Sequence, residues 1–115
     1  MAATNSPFKL RILVIDNDPT FLASFSASLQ LLKHEVLTCR NPICGLSTLR
    51  VCKNYYDLVM TDIHLPHMDG FEVIKRVREE FKLPLIVVSG DDRLDVARKA
   101  LQLGGCTLFS ETSSL

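Results

Sequence analysis

Three short runs carry apolar residues at successive positions: Leu10 to Ile15, Leu58 to Thr61 and Leu85 to Val88. A strand with one wetted face alternates, whereas continuous runs of this length suit strands covered on both faces, as in a parallel sheet. Between the runs, apolar positions recur at helical spacing. Asp18 followed by Pro19 is an N-cap and first-turn pair, and Leu22, Phe25, Leu29 and Leu32 then form one stripe, which predicts a helix. Phe71, Ile74, Val77 and Phe81 repeat the pattern after the Asp69-Gly70 turn, and Pro84 marks a new strand start. Asp91 or Asp92 can cap a further helix that carries Leu94, Ala97 and Leu101 and closes at Gly104 and Gly105. A weaker stripe of Ile43, Leu46 and Leu49 marks a helix from about Pro42 to Lys53, while Glu35 to Cys39 and Cys106 to Ser110 fill in as shorter strands.

Strand and helix alternate along the whole chain, which predicts an α/β fold: a doubly wound parallel sheet of five strands with four helices, right-handed crossovers and helices on both faces. In such a sheet ligands collect at the carboxyl ends of the strands, near the topological switch point. Those ends carry Asp16-Asn17-Asp18, Asp62-Ile63-His64, Ser89-Gly90-Asp91 and Ser110-Glu111.

Composition narrows the function classes. A chain of 115 residues fits one domain, read as a flexible start over residues 1–9 and a folded domain over 10–115. Thirteen basic residues balance thirteen acidic ones, so no electrostatic footprint for nucleic acid or an anionic membrane is expected. No run of about 18 apolar residues exists, and Met1 to Lys9 lacks the regions of a signal peptide, which points to an intracellular protein, in nucleus or cytoplasm. Cys39, Cys44, Cys52 and Cys106 then sit in a reducing compartment without a CxxC pair, and buried or inert thiols are expected rather than a zinc site or disulfide framework.

Asp16, Asp18 and Asp62 all follow apolar strands, so adjacent first and third strands bring carboxylates to one rim. Such a cluster suits a hard divalent cation, because Mg2+ demands oxygen ligands and keeps several waters. A carboxylate there can also attack phosphorus and form an acyl phosphate when a cation neutralises the phosphoryl oxygens. Ser89 can donate its hydroxyl to such a group. The bland readings are a helix cap for Asp18, caps or solvated charges for Asp91 and Asp92, and exposed polar side chains for His64 and His67. Asp16 and Asp62 differ, since an acid directly after a buried run is costly unless used.

Leu13 to Pro19, Asp57 to Phe71 and Pro84 to Asp92 together resemble the three signature blocks of response-regulator receivers of the CheY-like kind. The middle block, with an Asp, a short loop containing Pro, and Met68-Asp69-Gly70 opening a helix, is the most specific. The wording around it is most similar to plant two-component response regulators and pseudo-response regulators, especially those whose receiver precedes a DNA-binding domain. The resemblance covers about Lys9 to Phe109. It implies a flavodoxin-like strand order of 2-1-3-4-5, Asp62 as phospho-acceptor, Ser89 as switch hydroxyl, and a Mg2+ site made by Asp16, position 17, Asp62 and the backbone carbonyl of His64. It also implies phosphoryl supply from a histidine phosphotransfer protein or sensor kinase, a two-state switch of the surface around the fourth helix and fifth strand, and the option of a weak homodimer.

The chain departs from the family pattern at several positions. Asn17 stands where a second acid is usual, so one formal negative charge is missing and weak Mg2+ binding is expected. Matching Gly104-Gly105-Cys106 to the family's turn puts Glu111 where a Lys is usual, and no Lys or Arg occurs after Lys99. A phosphoryl group and an ammonium about 4 Å apart attract by about 4 kcal/mol per charge pair at an effective dielectric of about 20, whereas Glu111 repels. The switch aromatic position falls on Leu108, with Phe109 one residue later. Thr112 to Leu115 is too short for the family's fifth helix, so a missing or truncated helix and an incomplete carboxyl end are expected. Impaired switching follows, with a phosphorylation-independent pseudo-receiver acting through protein contacts as the alternative. An enzyme or flavin carrier ranks last, because no Gly-rich phosphate loop follows the first strand and no nucleophile-base pair is present.

Overall fold

The first apolar run is buried on both sides, because successive residues of a strand face opposite ways: Leu13 and Ile15 enter one core cluster, and Ile12 and Val14 another. The computed structural model describes residues 9–89 and 93–109. Along the chain run β1 (Arg11–Ile15), α1 (Pro19–Leu31), β2 (Glu35–Cys39), α2 (Pro42–Val51), β3 (Leu58–Thr61), α3 (Gly70–Arg76), β4 (Leu85–Ser89), α4 (Leu94–Gln102) and β5 (Cys106–Phe109). The five strands form one parallel sheet in the order β2-β1-β3-β4-β5. This is the flavodoxin-like doubly wound arrangement that the sequence pattern and the family resemblance predict.

The two clusters separate the faces. On one, Leu46 and Leu49 of α2, Val73 and Ile74 of α3, and Val96 and Ala100 of α4 pack on Leu13, Ile15, Val59, Leu85 and Val87. On the other, Leu22 of α1 meets Ile12, Val14, Met60 and Val88, with Phe21, Phe25 and Leu29 packed against them. Each fully buried side chain of this size stabilises the fold by about 1.5–3 kcal/mol relative to an exposed one. α3 is prolonged by a π-helical turn over Val77–Phe81. Val77 stays fully buried and Phe81 packs on the same cluster, so the four-residue spacing from Val77 to Phe81 is kept on one side of the helix.

Caps settle where three helices begin. The Asp18 Oδ1 accepts the amides of Thr20 and Phe21 at 3.0 and 3.3 Å. The Asn41 Oδ1 accepts the amide of Cys44 at 2.8 Å, and the Asp69 Oδ1 that of Phe71 at 2.9 Å. Asp91 and Asp92, expected as caps of the fourth helix, lie outside the described residues, as do the segment 110–115 and the fifth-helix expectation attached to it; the cap position of α4 is Arg93.

Four apolar positions expected on core stripes face solvent instead. Leu32 is the C-cap of α1 and 63% exposed, one step past the turn that meets the sheet. Ile43 is exposed while Gly45 takes the contact, its Cα close enough to Ile15 that a Cβ would lie 2.5 Å from the Ile15 Cδ1. On α4 two stripes were available. Leu94 and Leu101 form the outer one and are exposed, while Val96, Ala97 and Ala100 are buried and Leu103 packs on the core. Small side chains at 97 and 100 let the helix lie close on the sheet, which a stripe of leucines would hold further away.

Candidate functional site

Ile15 on β1 lies opposite Thr61 on β3, and both strands end there, so the next residues, Asp16 and Asp62, leave the sheet side by side. Their backbones stay tied to neighbouring strands: the amide of Asp62 donates to the Ile15 carbonyl at 3.1 Å, and that of Asp16 to the Cys39 carbonyl at 3.0 Å. Asp16 is buried, 7% exposed, and Asp62 is half-buried. The Asp16 Oδ1 accepts the Asp18 amide at 2.9 Å, and the Asp62 Oδ1 accepts the Ile63 amide at 2.6 Å. The Thr61 hydroxyl, also buried, donates to the Asp62 carbonyl at 3.0 Å.

Burial pushes the Asp16 carboxyl above the usual carboxylate range, and the negative charges of Asp62 and Asp18 push the same way. The amides of Asp18 and Asn17 pull it back only in part. A charge held in this state is relieved by a proton or by a cation. The surrounding donors are oxygens, the chemistry Mg2+ selects, and a cation with several retained waters needs only a few protein ligands. Among the described residues no group of three or more His, Cys, Asp or Glu side chains gathers as a metal cluster. A cation at the rim would therefore be held by the Asp16 and Asp62 carboxylates with neutral oxygens and water, a donor set that fits Mg2+.

The remaining expected site residues lie around this pair. Asn17 is exposed in the bend after Asp16, and His64 is exposed in the loop after β3. Ser89 ends β4 and is buried, 3% exposed. Since Val87 lies opposite Thr61, Ser89 stands one residue further along the rim than Asp62. Leu108 and Phe109 lie opposite Val88 and Ser89 in β5. Glu111 falls outside the described residues. His67 is exposed, with φ at 70° in the left-handed region.

Gly70 explains the spacing of the loop. Its amide donates to the Ile63 carbonyl at 3.0 Å, and a Cβ there would lie 2.5 Å from both the Ile63 Cα and its oxygen and 2.8 Å from the Asp62 oxygen. Only glycine lets the start of α3 sit on the backbone of the candidate nucleophile. A cavity of about 220 Å³ lined by Leu49, Tyr56, Phe81 and Leu83, among others, opens near the starts of β3 and β4, at the opposite end of the sheet. Of the thiols, all four are free; Cys39 is buried, whereas Cys44, Cys52 and Cys106 are exposed. The Sγ atoms of Cys39 and Cys44 lie 3.4 Å apart, a contact that the sequence signals only as a strand end followed by a capped first turn.

Comparison with known proteins agrees with this architecture. The family model of the response regulator receiver domain matches residues 12–110. The rice (Oryza sativa subsp. japonica) two-component response regulator ORR26 is 39% identical over 106 residues, which covers 92% of this chain and 18% of that protein. Two-component response regulator ARR2 of Arabidopsis thaliana is 40% identical over 98 residues, 85% of this chain and 15% of that one. The chain thus spans less than a fifth of the length of these curated relatives. Among solved structures, a response regulator receiver domain protein from Clostridium thermocellum superposes with a TM-score of 0.83 at 28% identity, covering 89% of this chain and 82% of that one. A CheY-like receiver from Methanospirillum hungatei shares the fold with a TM-score of 0.80 at 24% identity, over 90% and 83% of the two chains. No helix among the described residues is long and apolar enough to cross a membrane. The match over nearly the whole chain and the order of its strands lead to one assignment: this protein belongs to the response regulator receiver domain family.

Proposed function

We propose that the chain is the receiver module of a His-to-Asp phosphorelay, accepting a phosphoryl group on Asp62 from a histidine phosphotransfer protein or sensor kinase, with weakened cation binding and impaired switching. The observation that carries this reading is the placement of Asp62 beside buried Asp16, whose carboxyl is raised partly by the Asp62 charge. In the transfer, a carboxylate oxygen of Asp62 attacks phosphorus, the P–N bond to the donor imidazole breaks, and that nitrogen keeps the electron pair and takes a proton. Bound Mg2+ supplies charge neutralisation for the phosphoryl oxygens. Asp16 and Asp62 would hold the cation, with the Asn17 amide oxygen as a weakened ligand and the His64 backbone carbonyl as a further one, and the Ser89 hydroxyl would donate to a phosphoryl oxygen. The Thr61 hydroxyl and the Gly70 amide fix the backbone on either side of the nucleophile, donating to the carbonyls of Asp62 and Ile63.

Asn17 removes one negative charge from the rim, and Glu111 brings a negative charge to the position where the family uses Lys. Both favour a second reading, a pseudo-receiver that acts by protein contacts without phosphate. As a further part of this proposal, the module belongs to a transcriptional response regulator of the nucleus or cytoplasm, a reading supported by its similarity to two-component response regulators of which it spans less than a fifth. The two readings separate on incubation with saturating Mg2+ and either a small phosphodonor or a histidine phosphotransfer protein. An acid-stable, base-labile mass increase that vanishes in Asp62→Asn is the expected result. A chain that stays unlabelled under these conditions is a pseudo-receiver. The double variant Asn17→Asp with Glu111→Lys is expected to gain cation affinity and label; unchanged values would show that the assigned pocket is wrong.

A further inference from the structure

Cys39 closes β2, and Cys44 sits in the first turn of α2, with 3.4 Å between their sulfurs. Local bonds hold this contact from several sides. The Asn41 cap on the Cys44 amide sets the turn that brings Cys44 back over the strand end. The Thr48 hydroxyl donates to the Cys44 carbonyl at 2.8 Å and lies 3.9 Å from the Cys39 Sγ. Cys44 is exposed, whereas Cys39 is only 3% exposed. One thiol is therefore open to small reagents in solution, and the other waits behind it.

We propose that Cys39 and Cys44 form a reversible thiol-disulfide pair that a hydroperoxide oxidises. The Cys44 sulfur attacks one peroxide oxygen; an S–O bond forms, the O–O bond breaks, and the second oxygen leaves as water after taking a proton, giving a sulfenic acid. The Cys39 sulfur then attacks the Cys44 sulfur; an S–S bond forms, the S–O bond breaks, and the hydroxyl leaves as water with the Cys39 proton. Two thiols and one hydrogen peroxide become one disulfide and two waters, a two-electron oxidation of sulfur. Exposure suits Cys44 as the first nucleophile, and burial directly behind it suits Cys39 as the resolving one. A disulfide of about 2.05 Å requires the sulfurs to close by about 1.4 Å from their present contact. The enclosed loop is short, so the bond constrains the unfolded chain little and stays open to reduction by a dithiol. Cys39 also accepts the Asp16 amide through its carbonyl, so the pair lies one hydrogen bond from the acidic rim. None of this depends on phosphorylation of Asp62.

The test uses the full 115-residue chain, folded and without substitutions. After brief treatment with hydrogen peroxide, remaining thiols are blocked by alkylation and the protein is digested with trypsin without reduction. Arg40 lies between the two cysteines, so the disulfide joins two separate peptides, and their linked mass, two hydrogens below the sum, is the expected finding. Dithiothreitol should return both peptides as free thiols. In Cys39→Ser, oxidation should stop at a sulfenic acid on Cys44 that dimedone traps, and in Cys44→Ser, Cys39 should remain reduced. A native chain whose Cys44 proceeds to sulfinic acid while Cys39 is recovered as a thiol would overturn the proposal. So would a peroxide product in which Cys44 is bonded to Cys52, Cys106 or a second copy of the chain.

Discussion

The amide of Asp62 donates to the carbonyl of Ile15 at 3.1 Å, the last bond of the β1-β3 ladder, and it sets the Asp62 carboxylate beside that of Asp16. Two residues 46 positions apart in sequence thereby share one small volume in which like charges repel. Under the proposed function, the stability of the domain and an affinity for cations are linked through this bond, because whatever neutralises the pair also relieves the fold.

Asp16→Asn is expected to stabilise the cation-free protein at neutral pH and to lower its Mg2+ affinity. The Asp16 carboxyl in the folded state lies above its ordinary value, so between the two values the folded protein binds more protons than the unfolded chain. Stability then falls as pH rises through that window, and the full penalty is present at neutral pH. The amide variant lacks the titration. Thermal midpoints measured from the acidic range to pH 7 should therefore converge at the acid end and separate in favour of the variant at neutral pH. Equal midpoints at pH 7 would show that the Asp16 charge carries no folding cost.

Gly70→Ala should destabilise by about 1–3 kcal/mol, the usual cost of overpacking. The methyl would meet backbone atoms of Ile63 and Asp62, which cannot yield as a flexible side chain can. Urea unfolding should show a lower midpoint with an unchanged slope. Under the proposed function the same variant also labels more slowly at Asp62, since the loop carrying the nucleophile must move.

Asp18→Ala removes the cap of α1 and should cost about 1 kcal/mol. Asp18→Asn keeps an oxygen acceptor for the Thr20 and Phe21 amides and removes a charge that raises Asp16. The asparagine variant is expected to match or exceed the parent chain in chemical-denaturation stability. If alanine and asparagine proved equally destabilising, capping would not be what this side chain contributes.

Asp57 gives a pH dependence of the opposite sign. Hydrogen bonds from the Arg11 amide at 2.8 Å and the Arg11 side chain at 3.3 Å hold its carboxyl below the usual range. Its stabilisation is present above the ordinary carboxylate range and is lost as pH falls through the lower folded value. Both partners are more than a third exposed, so solvent screens the ion pair and the effect is small. Asp57→Asn should flatten the acid limb of the stability profile and leave the neutral plateau nearly unchanged.

Local chemistry alone determined much of this protein. The unbroken apolar runs specified central parallel strands, because a strand wetted on one face would alternate; Asp18 and Asp69 specified helix starts, because their oxygens satisfy amides that the helix leaves open. Asp16 and Asp62 were legible as rim acids from their place after those runs. Tertiary structure decided what local pattern leaves degenerate. On α4 both the Leu94-Leu101 stripe and the Val96-Ala100-Leu103 stripe have helical period, and only the close approach to the sheet selected the one with small residues. Ile43 lost its place to Gly45 because Ile15 already fills that space. The contact between Cys39 and Cys44 had no periodic signal, since it arises where a strand of one register meets a helix capped by Asn41. Periodicity reports which residues share a face; which face is buried depends on the shape of the surface that comes to meet it.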